Sequence, residues 1–289
     1  MELAMSELPL ALFSTLAPMG AGAFGLLSLA FMTTKFSDEQ LRRIDRLTAI
    51  PLIVVAIGFV CSFFHLASPM NAMQVFAGLG SSPLSNEILA GVVFTVAAIV
   101  YWVLAIAGKL KGTARTGFAL VIAVLAAVFA VFVGMAYMME TIASWNSPFV
   151  PVQMLGYLFL GGSAFGVLVL GLAGSLDEAR SGSFKAATMG VVVLGAVLAI
   201  GGLAGQIMGV SGMENAMTSG AGLVASATMP MAIAVIALIV AAVAALMALR
   251  GVSPMVLATV APIVADVGIF FGRMAFYGVE MSVGQYVGL

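Results

Sequence analysis

Residues 223–249 read LVASATMPMAIAVIALIVAAVAALMAL, a run without a charged side chain. An α-helix rises about 1.5 Å per residue, so a run of this length crosses the roughly 30 Å of hydrocarbon in a bilayer. The whole chain shares this character, because 63% of its residues are hydrophobic and only 8% are charged. A soluble domain of this size cannot bury so much apolar surface, so we predict a membrane protein.

Further apolar runs precede and follow this segment. The predicted spans are 8–32, 48–67, 86–108, 116–139, 150–174, 185–209, 223–249 and 253–281. The runs are continuous and lack the alternation of barrel strands, so they favour helices, which satisfy their own backbone hydrogen bonds in lipid. We therefore predict an all-α, polytopic bundle of eight transmembrane helices, forming a single integral-membrane domain over residues 1–289.

Basic residues fall almost entirely in alternate connections between these spans. They are Lys35, Arg42, Arg43, Arg46, Lys109, Lys111, Arg115, Arg180, Lys185 and Arg250. Positive residues stay on the cytoplasmic side, so both termini are expected on the non-cytoplasmic side of a bacterial or archaeal inner membrane. The opposite face carries Glu2, Glu7, Glu87, Glu140, Glu214 and Glu280.

Two glycine-rich segments indicate an internal repeat. Residues 20–27, GAGAFGLL, and residues 161–168, GGSAFGVL, share five residues at the same spacing. The same offset of 141 residues carries the starts of the second, third and fourth spans close to those of the sixth, seventh and eighth. This correspondence is compatible with a 4+4 arrangement of two parallel halves. The same offset places His65 opposite Gln206, so any chemistry at His65 belongs to one half only.

Ionisable residues at the ends or inside of the spans are candidates for function, because they are costly in lipid. They are His65, the only histidine, together with Glu87, Asp266 and Arg273. Each also has a structural interpretation. His65 would cap a helix end, Glu87 would favour a helix N-terminus, and Arg273 would extend to the interface.

The chain lacks the residues of a redox centre. One histidine cannot supply the axial ligands of transmembrane haems, and a single cysteine cannot hold an iron–sulfur cluster. We therefore expect no cofactor bound covalently or by metal ligation.

Four motifs carry a resemblance to a known family. They are ELPLALFSTLAPMGAGAFG (7–25), FHLASPMNA (64–72), LSNEILAG (84–91) and GRMAFYGVEMSVG (272–284). Over essentially its full length, the sequence resembles the membrane anchor subunits of the DMSO reductase family, which are haem-free and have eight transmembrane helices. The resemblance implies that the protein oxidises menaquinol near the outer face. The electrons would pass to a ferredoxin-like subunit with four iron–sulfur clusters, and then to a molybdopterin subunit that reduces an S-oxide or N-oxide.

The resemblance also implies a quinol site around His65, with Glu87 as its acidic partner. An imidazole titrates near neutral pH, so His65 is suited to accept a quinol proton. Glu87 would orient His65 or relay the proton outward, and Arg273 would stabilise developing negative charge. The other predicted quinol-binding residues are Ser68, Pro69, Asn86 and Tyr277.

Two other functions are compatible with the sequence. Eight helices, a repeat, and the intramembrane Asp266 and Arg273 also suit a transporter or channel. A purely structural tether would tolerate changes at His65 without losing electron flow. The expected partners are the iron–sulfur subunit, the molybdopterin subunit, quinol and membrane lipid, but no nucleic acid. The residues leave the quinone type, the terminal acceptor and the direction of electron flow open.

Overall fold

A computed structural model describes residues 2–64, 77–215 and 218–282. The helices in this part of the chain are α1 (Glu2–Ser6), α2 (Leu8–Thr33), α3 (Asp38–Leu47), α4 (Ala49–Phe63), α5 (Pro83–Ile106), α6 (Gly112–Met135), α7 (Phe149–Leu172), α8 (Leu176–Arg180), α9 (Ser183–Ser211), α10 (Gly220–Ser226), α11 (Thr228–Arg250) and α12 (Pro254–Gly278). The described residues form no β-strand beyond two isolated bridges.

Eight of these helical segments are long and apolar enough to cross a membrane: α2, α3 with α4, α5, α6, α7, α9, α11 and α12. The all-α prediction with eight candidate spans is therefore confirmed. The largest difference concerns the span predicted at 48–67. It is preceded by α3, which the sequence analysis placed in a connection, and residues 65–67 lie outside the described residues.

Helix α3 forms because its first residues complete a capping box. The Ser37 hydroxyl accepts from the Gln40 amide at 3.2 Å, and the Gln40 side chain accepts from the Ser37 amide at 2.9 Å. This reciprocal pair satisfies two amide groups that a helix start leaves without partners. Helix α3 therefore extends the second span beyond its apolar part, in a region rich in basic residues.

Every lysine and arginine except Arg273 lies at the end of the bundle that holds α3, α8 and the connections after α2, α5, α7 and α11, and we call this end the basic face. The other end, the acidic face, holds α1 and residues 136–148, 212–215, 218–219 and 279–282. The acidic-face segments described by the structure contain glutamates and no lysine or arginine.

The centre of the bundle is the pair α2 and α7. Sixteen residues of each are buried, against three of α4. The two helices cross at Gly22 and Gly162, where a Cβ on Gly162 would lie 2.3 Å from the Gly22 Cα. A Cβ on Gly22 would lie 2.1 Å from the Leu158 carbonyl oxygen. The two glycine-rich segments of the predicted repeat thus contact each other, and only glycine permits this approach.

Helix contacts in the two halves correspond to one another. Helix α2 packs on α4 and α6, as α7 packs on α9 and α12, and the pair α5–α6 corresponds to α11–α12. The contacts between the halves match as well. The last helix of the first half, α6, packs on α7, the first span of the second half, and α12 packs on α2 in the same way. This is the pattern that a 4+4 repeat with parallel halves predicts.

A buried ion pair joins α3 to α6 near the basic face. Arg115 donates to both carboxylate oxygens of Asp45, with Nη2 2.9 Å from Oδ2, and both residues are buried. The Trp102 indole of α5 donates to the Asp45 carbonyl at 3.0 Å. The sequence analysis placed Arg115 in a connection, but it lies in the first turn of α6 and faces the bundle.

Candidate functional site

Arg273 is the most deeply buried charged residue near the acidic face, with no exposed surface. It lies five residues before the end of α12, about 7.5 Å from that end. Its Nε donates to the Ser14 hydroxyl of α2 at 2.8 Å, and its Nη2 donates to the Tyr277 hydroxyl at 2.9 Å. Its Nη1 is buried without a hydrogen-bond partner among the described residues.

Aromatic rings surround this guanidinium. Its central carbon lies 4.0 Å from the ring centroid of Phe276, 4.6 Å from that of Tyr137 and 4.8 Å from that of Tyr277. Cation–π attraction strengthens when water is excluded, so these rings offset part of the cost of burying the charge. No described carboxylate lies at ion-pair distance from Arg273. The positive charge is therefore held in place but not neutralised by a direct partner.

Trp145 fixes the position of these rings. Its indole nitrogen donates to the Phe276 carbonyl at 3.1 Å, and its ring stacks on that of Phe276 with centroids 5.1 Å apart. Trp145 belongs to the connection between α6 and α7, so this connection packs against the end of α12 at the acidic face.

Tyr137 extends the polar group around Arg273. Its hydroxyl lies 2.6 Å from that of Tyr277. Burial raises the pKa of Tyr137 well above its usual value, and the neighbouring Tyr277 adds to this effect. Tyr137 therefore remains protonated at neutral pH and can exchange hydrogen-bond roles with Tyr277 without carrying a charge.

Glu87 of α5 belongs to the same group. It is 5% exposed and lies four residues into the helix, about 6 Å from its start. Its carboxyl lies close enough to Arg273 and Tyr137 for electrostatic interaction, but it forms no ion pair with another described residue. Glu87 lies beyond the first helical turn and faces the bundle, so its position differs from that of a carboxylate that only favours the helix N-terminus.

A layer of phenylalanines lies on the membrane-centre side of Glu87. Phe129 of α6 stacks on Phe59 of α4 at 5.7 Å and on Phe94 of α5 at 5.9 Å between ring centroids. Phe94 lies two helical turns beyond Glu87, and Phe13 of α2 packs on the rings of Phe59 and Phe129. This layer separates the polar group from the centre of the bundle.

A second polar network lies on the other side of α12. The Gln153 amide donates to the Gln206 side-chain oxygen at 2.8 Å, and the Gln206 amide donates to the Ser144 carbonyl at 3.2 Å. The Tyr157 hydroxyl, 3.4 Å from Gln153, lies against Gly272, where a Cβ would be 2.6 Å away. Gln206, predicted to correspond to His65, is thus engaged by hydrogen bonds through both its oxygen and its nitrogen.

The structure brings together three of the predicted site residues, Glu87, Arg273 and Tyr277. His65, Ser68 and Pro69 lie outside the described residues, so their roles stay predictions. Asn86 is half-buried, and its side-chain oxygen accepts from the Gly80 amide at 2.8 Å, which fixes the turn before α5. The last described residues before the gap include Phe63 and Phe64, whose side chains are largely exposed.

Sequence reasoning missed Ser14, Tyr137 and Trp145. Ser14 contacts Arg273 across 259 positions of sequence, and Tyr137 and Trp145 lie in a connection without a distinctive pattern. One weak signal was present, since the chain has only five tyrosines and two tryptophans and these fall largely at span ends.

Similarity to known proteins decides the family. A model of the family described as DMSO reductase anchor subunit (DmsC) matches residues 1–279. The chain belongs to this family. It is 30% identical to the C subunit of the anaerobic dimethyl sulfoxide reductase of Escherichia coli (strain K12) over 284 residues, which is 97% of each protein.

Two further relatives agree with this membership. The C subunit of the anaerobic dimethyl sulfoxide reductase of Haemophilus influenzae is 26% identical over the full length of both proteins. The anaerobic dimethyl sulfoxide reductase subunit YnfH of E. coli is 25% identical over 97% of each. The resemblance drawn from the four motifs is therefore confirmed. The protein is a multi-pass membrane protein of the anchor subunit family.

Proposed function

We propose that this protein is the quinol-oxidising anchor of a DMSO reductase-type complex. The single observation that carries the proposal is Arg273, a fully buried guanidinium whose Nη1 has no hydrogen-bond partner among the described residues. A buried donor without a partner is costly, and a bound oxygen atom would satisfy it. The two oxygens of a quinol suit a group of hydroxyl, carboxyl and guanidinium donors and acceptors.

The residues present fit the steps that quinol oxidation needs. Oxidation releases two electrons and two protons. His65 is proposed to accept the first proton, and Glu87 supplies a carboxyl group that can relay a proton near the acidic face. Arg273 stabilises negative charge that develops on the oxygen as the proton leaves. Ser14 and Tyr277 hold the guanidinium in place.

Membership of the anchor subunit family supports a proposal about partners. We propose an iron–sulfur subunit that receives the electrons and a molybdopterin subunit that uses them to reduce an S-oxide or N-oxide. Menaquinol is the proposed substrate. The acidic face is proposed to be non-cytoplasmic, because basic residues stay on the cytoplasmic side. The quinol would then lie close to a subunit docked on the outer surface.

The test compares two electron donors for the assembled complex in its membrane. The variants His65→Arg and Glu87→Lys are expected to abolish oxidation of a menaquinol analogue. Reduction of the S-oxide by a soluble viologen, which bypasses the anchor, should persist. Glu214→Lys, the same charge reversal at an exposed glutamate of the acidic face, serves as a matched control that retains both activities. If quinol oxidation survives in both site variants, either this protein is a tether or the site lies elsewhere, and the proposed mechanism is wrong.

A further inference from the structure

A cavity lies far from Arg273, in the half of the bundle next to the basic face. Its volume is ≈ 260 Å³, and its walls come from α2, α6, α7 and α9. Its lining is almost entirely apolar and includes Gly22, Gly25 and Met32 of α2. An apolar cavity of about 150 Å³ accommodates benzene, so this one accommodates a segment of hydrocarbon chain.

One polar group in the cavity has no partner. Ser28 lines the cavity, is 2% exposed, and its hydroxyl makes no hydrogen bond with any described residue. A hydroxyl within a membrane helix normally bonds to a backbone carbonyl or to a neighbouring helix. The Ser28 hydroxyl is therefore available to donate to an oxygen that enters the cavity.

The depth of Ser28 matches that of a lipid ester group. Ser28 lies five residues from the basic-face end of α2, about 7.5 Å along the helix. The polar interface on each side of the hydrocarbon core is of similar thickness, roughly 5–7 Å. The deepest lining residues, Leu158 and Ala126, lie about 21 Å from the same face, close to the bilayer centre. The cavity thus spans one leaflet.

Three lysines lie at the basic-face ends of the helices that line the cavity. Lys35 follows α2, Lys111 precedes α6, and Lys185 lies in the first turn of α9. None of them forms an ion pair with another described residue. Positive side chains next to the membrane surface attract anionic headgroups.

We propose that this cavity is a binding site for an anionic phospholipid of the leaflet on the basic face. One acyl chain occupies the cavity between the two halves of the bundle, an ester oxygen accepts from Ser28, and the phosphate lies among the three lysines. The bound acyl chain fills a gap beside the Gly22–Gly162 crossing, where the two halves meet.

Gly25 provides a clean test, because a Cβ there would have no neighbour within 4 Å and Gly25 lines the cavity. A leucine at this position starts from open space at its Cβ and would place its side chain in the volume proposed for the acyl chain. Gly201 of α9 is the matched control: it also has open space around its Cβ, is exposed, and lies outside the cavity.

The assembled complex is placed in phosphatidylcholine nanodiscs containing a small fraction of phosphatidylglycerol with a diazirine in its acyl chain. Labelling of the wild type should concentrate on residues 22–32 and 120–126, and unlabelled phosphatidylglycerol should compete better than phosphatidylcholine. Gly25→Leu should lower this labelling about tenfold, because excluding about two methylenes of the acyl chain changes affinity by that factor. Gly201→Leu should not change it.

Two results would overturn the proposal. The first is wild-type labelling at 22–32 no stronger than on the lipid-facing surface around Gly201, which would indicate ordinary boundary lipid. The second is a Gly25→Leu complex that assembles but no longer oxidises a quinol with an isoprenoid tail, which would assign the cavity to that tail. The wild-type labelling pattern and the competition remain decisive even if Gly25→Leu does not fold.

Discussion

The hydroxyl of Tyr277 lies between two groups, 2.9 Å from Nη2 of Arg273 and 2.6 Å from the hydroxyl of Tyr137. One side chain thus connects the buried cation of α12 to the connection that follows α6. In the described part of the chain, Nη1 of Arg273 lacks a partner. The guanidinium therefore makes only two hydrogen bonds to described residues, one to Ser14 and one to Tyr277.

Tyr277→Phe should therefore weaken both stability and the proposed quinol oxidation. Leaving Nη2 without a partner is expected to cost about 1–3 kcal/mol of unfolding free energy. Quinol oxidation should fall at least about tenfold while viologen-driven activity persists, because the guanidinium loses its orientation. The measurements are thermal unfolding of the purified complex and the two-donor assay. Tyr157→Phe, whose hydroxyl has only a 3.4 Å contact with Gln153, is the matched control, and equal losses in both variants would contradict the assignment.

Gly162→Ala should disrupt the contact between the halves. The added Cβ would lie 2.3 Å from the Gly22 Cα, a backbone atom that cannot move away without separating α2 from α7. Overpacking of this kind typically costs about 1–3 kcal/mol, so the midpoint of thermal unfolding should fall and less complex should assemble. Gly201→Ala, in open surroundings on α9, should leave both quantities unchanged. A Gly162→Ala complex as stable as the Gly201→Ala complex would show that the helices cross elsewhere.

The buried pair of Asp45 and Arg115 predicts strong coupling between two residues that lie far apart in sequence. Either Asp45→Leu or Arg115→Met alone leaves an uncompensated charge near the membrane interface and should cost about 3–5 kcal/mol. The double variant should lose less unfolding free energy than the two single variants added together, because neither charge of the pair then remains. A double-mutant cycle on unfolding in detergent measures this difference. Additive losses would mean that the two side chains do not form a pair in solution.

Glu280 predicts a pH dependence at the acidic face. Burial raises the pKa of Glu280 above its usual value of 4.5, and the neighbouring Glu7 raises it further. The folded state therefore binds the proton of Glu280 more tightly than the unfolded state does. Ionisation of Glu280 thus lowers the free energy of unfolding as the pH rises through the folded pKa, and this effect is absent below about pH 4.

Glu280→Gln removes this titration, so it should raise the unfolding temperature at neutral pH and have little effect at pH ~4. Thermal scans of the complex across this range would measure the difference. Glu140→Gln, at an exposed glutamate on the same face, is the matched control. A Glu280→Gln effect that is equal at both pH values would contradict the raised pKa.

Hydropathy predicted the all-α fold and the eight candidate spans because a membrane imposes one length and one backbone state on each apolar run. The glycine-rich repeat also pointed to Gly22 and Gly162, although it did not show that the two would touch. Helix α3 was missed because its polar composition resembles a connection, yet its Ser37–Gln40 spacing was a readable capping signal.

The site was only partly predictable for a different reason. Arg273 and Tyr277 follow from one motif, and Glu87 from another, since each motif is local. Ser14 and Tyr137 reach the site through tertiary contacts that no local pattern records. The same holds for Asp45 with Arg115, because a pair separated by 70 positions leaves no periodic signal.

The crossing of α2 and α7 also sets an order of events during synthesis. Gly22 enters the membrane with the first span, but Gly162 is made 140 residues later, which at about 5–20 residues per second is roughly 7–28 seconds. Ser14 acquires its partner later still, since Arg273 belongs to the last span. Helix α2 is thus made well before α7 and α12, the two later helices that cover its buried surface. The nascent first half therefore depends on lipid or on an insertion factor to cover α2 until the second half arrives.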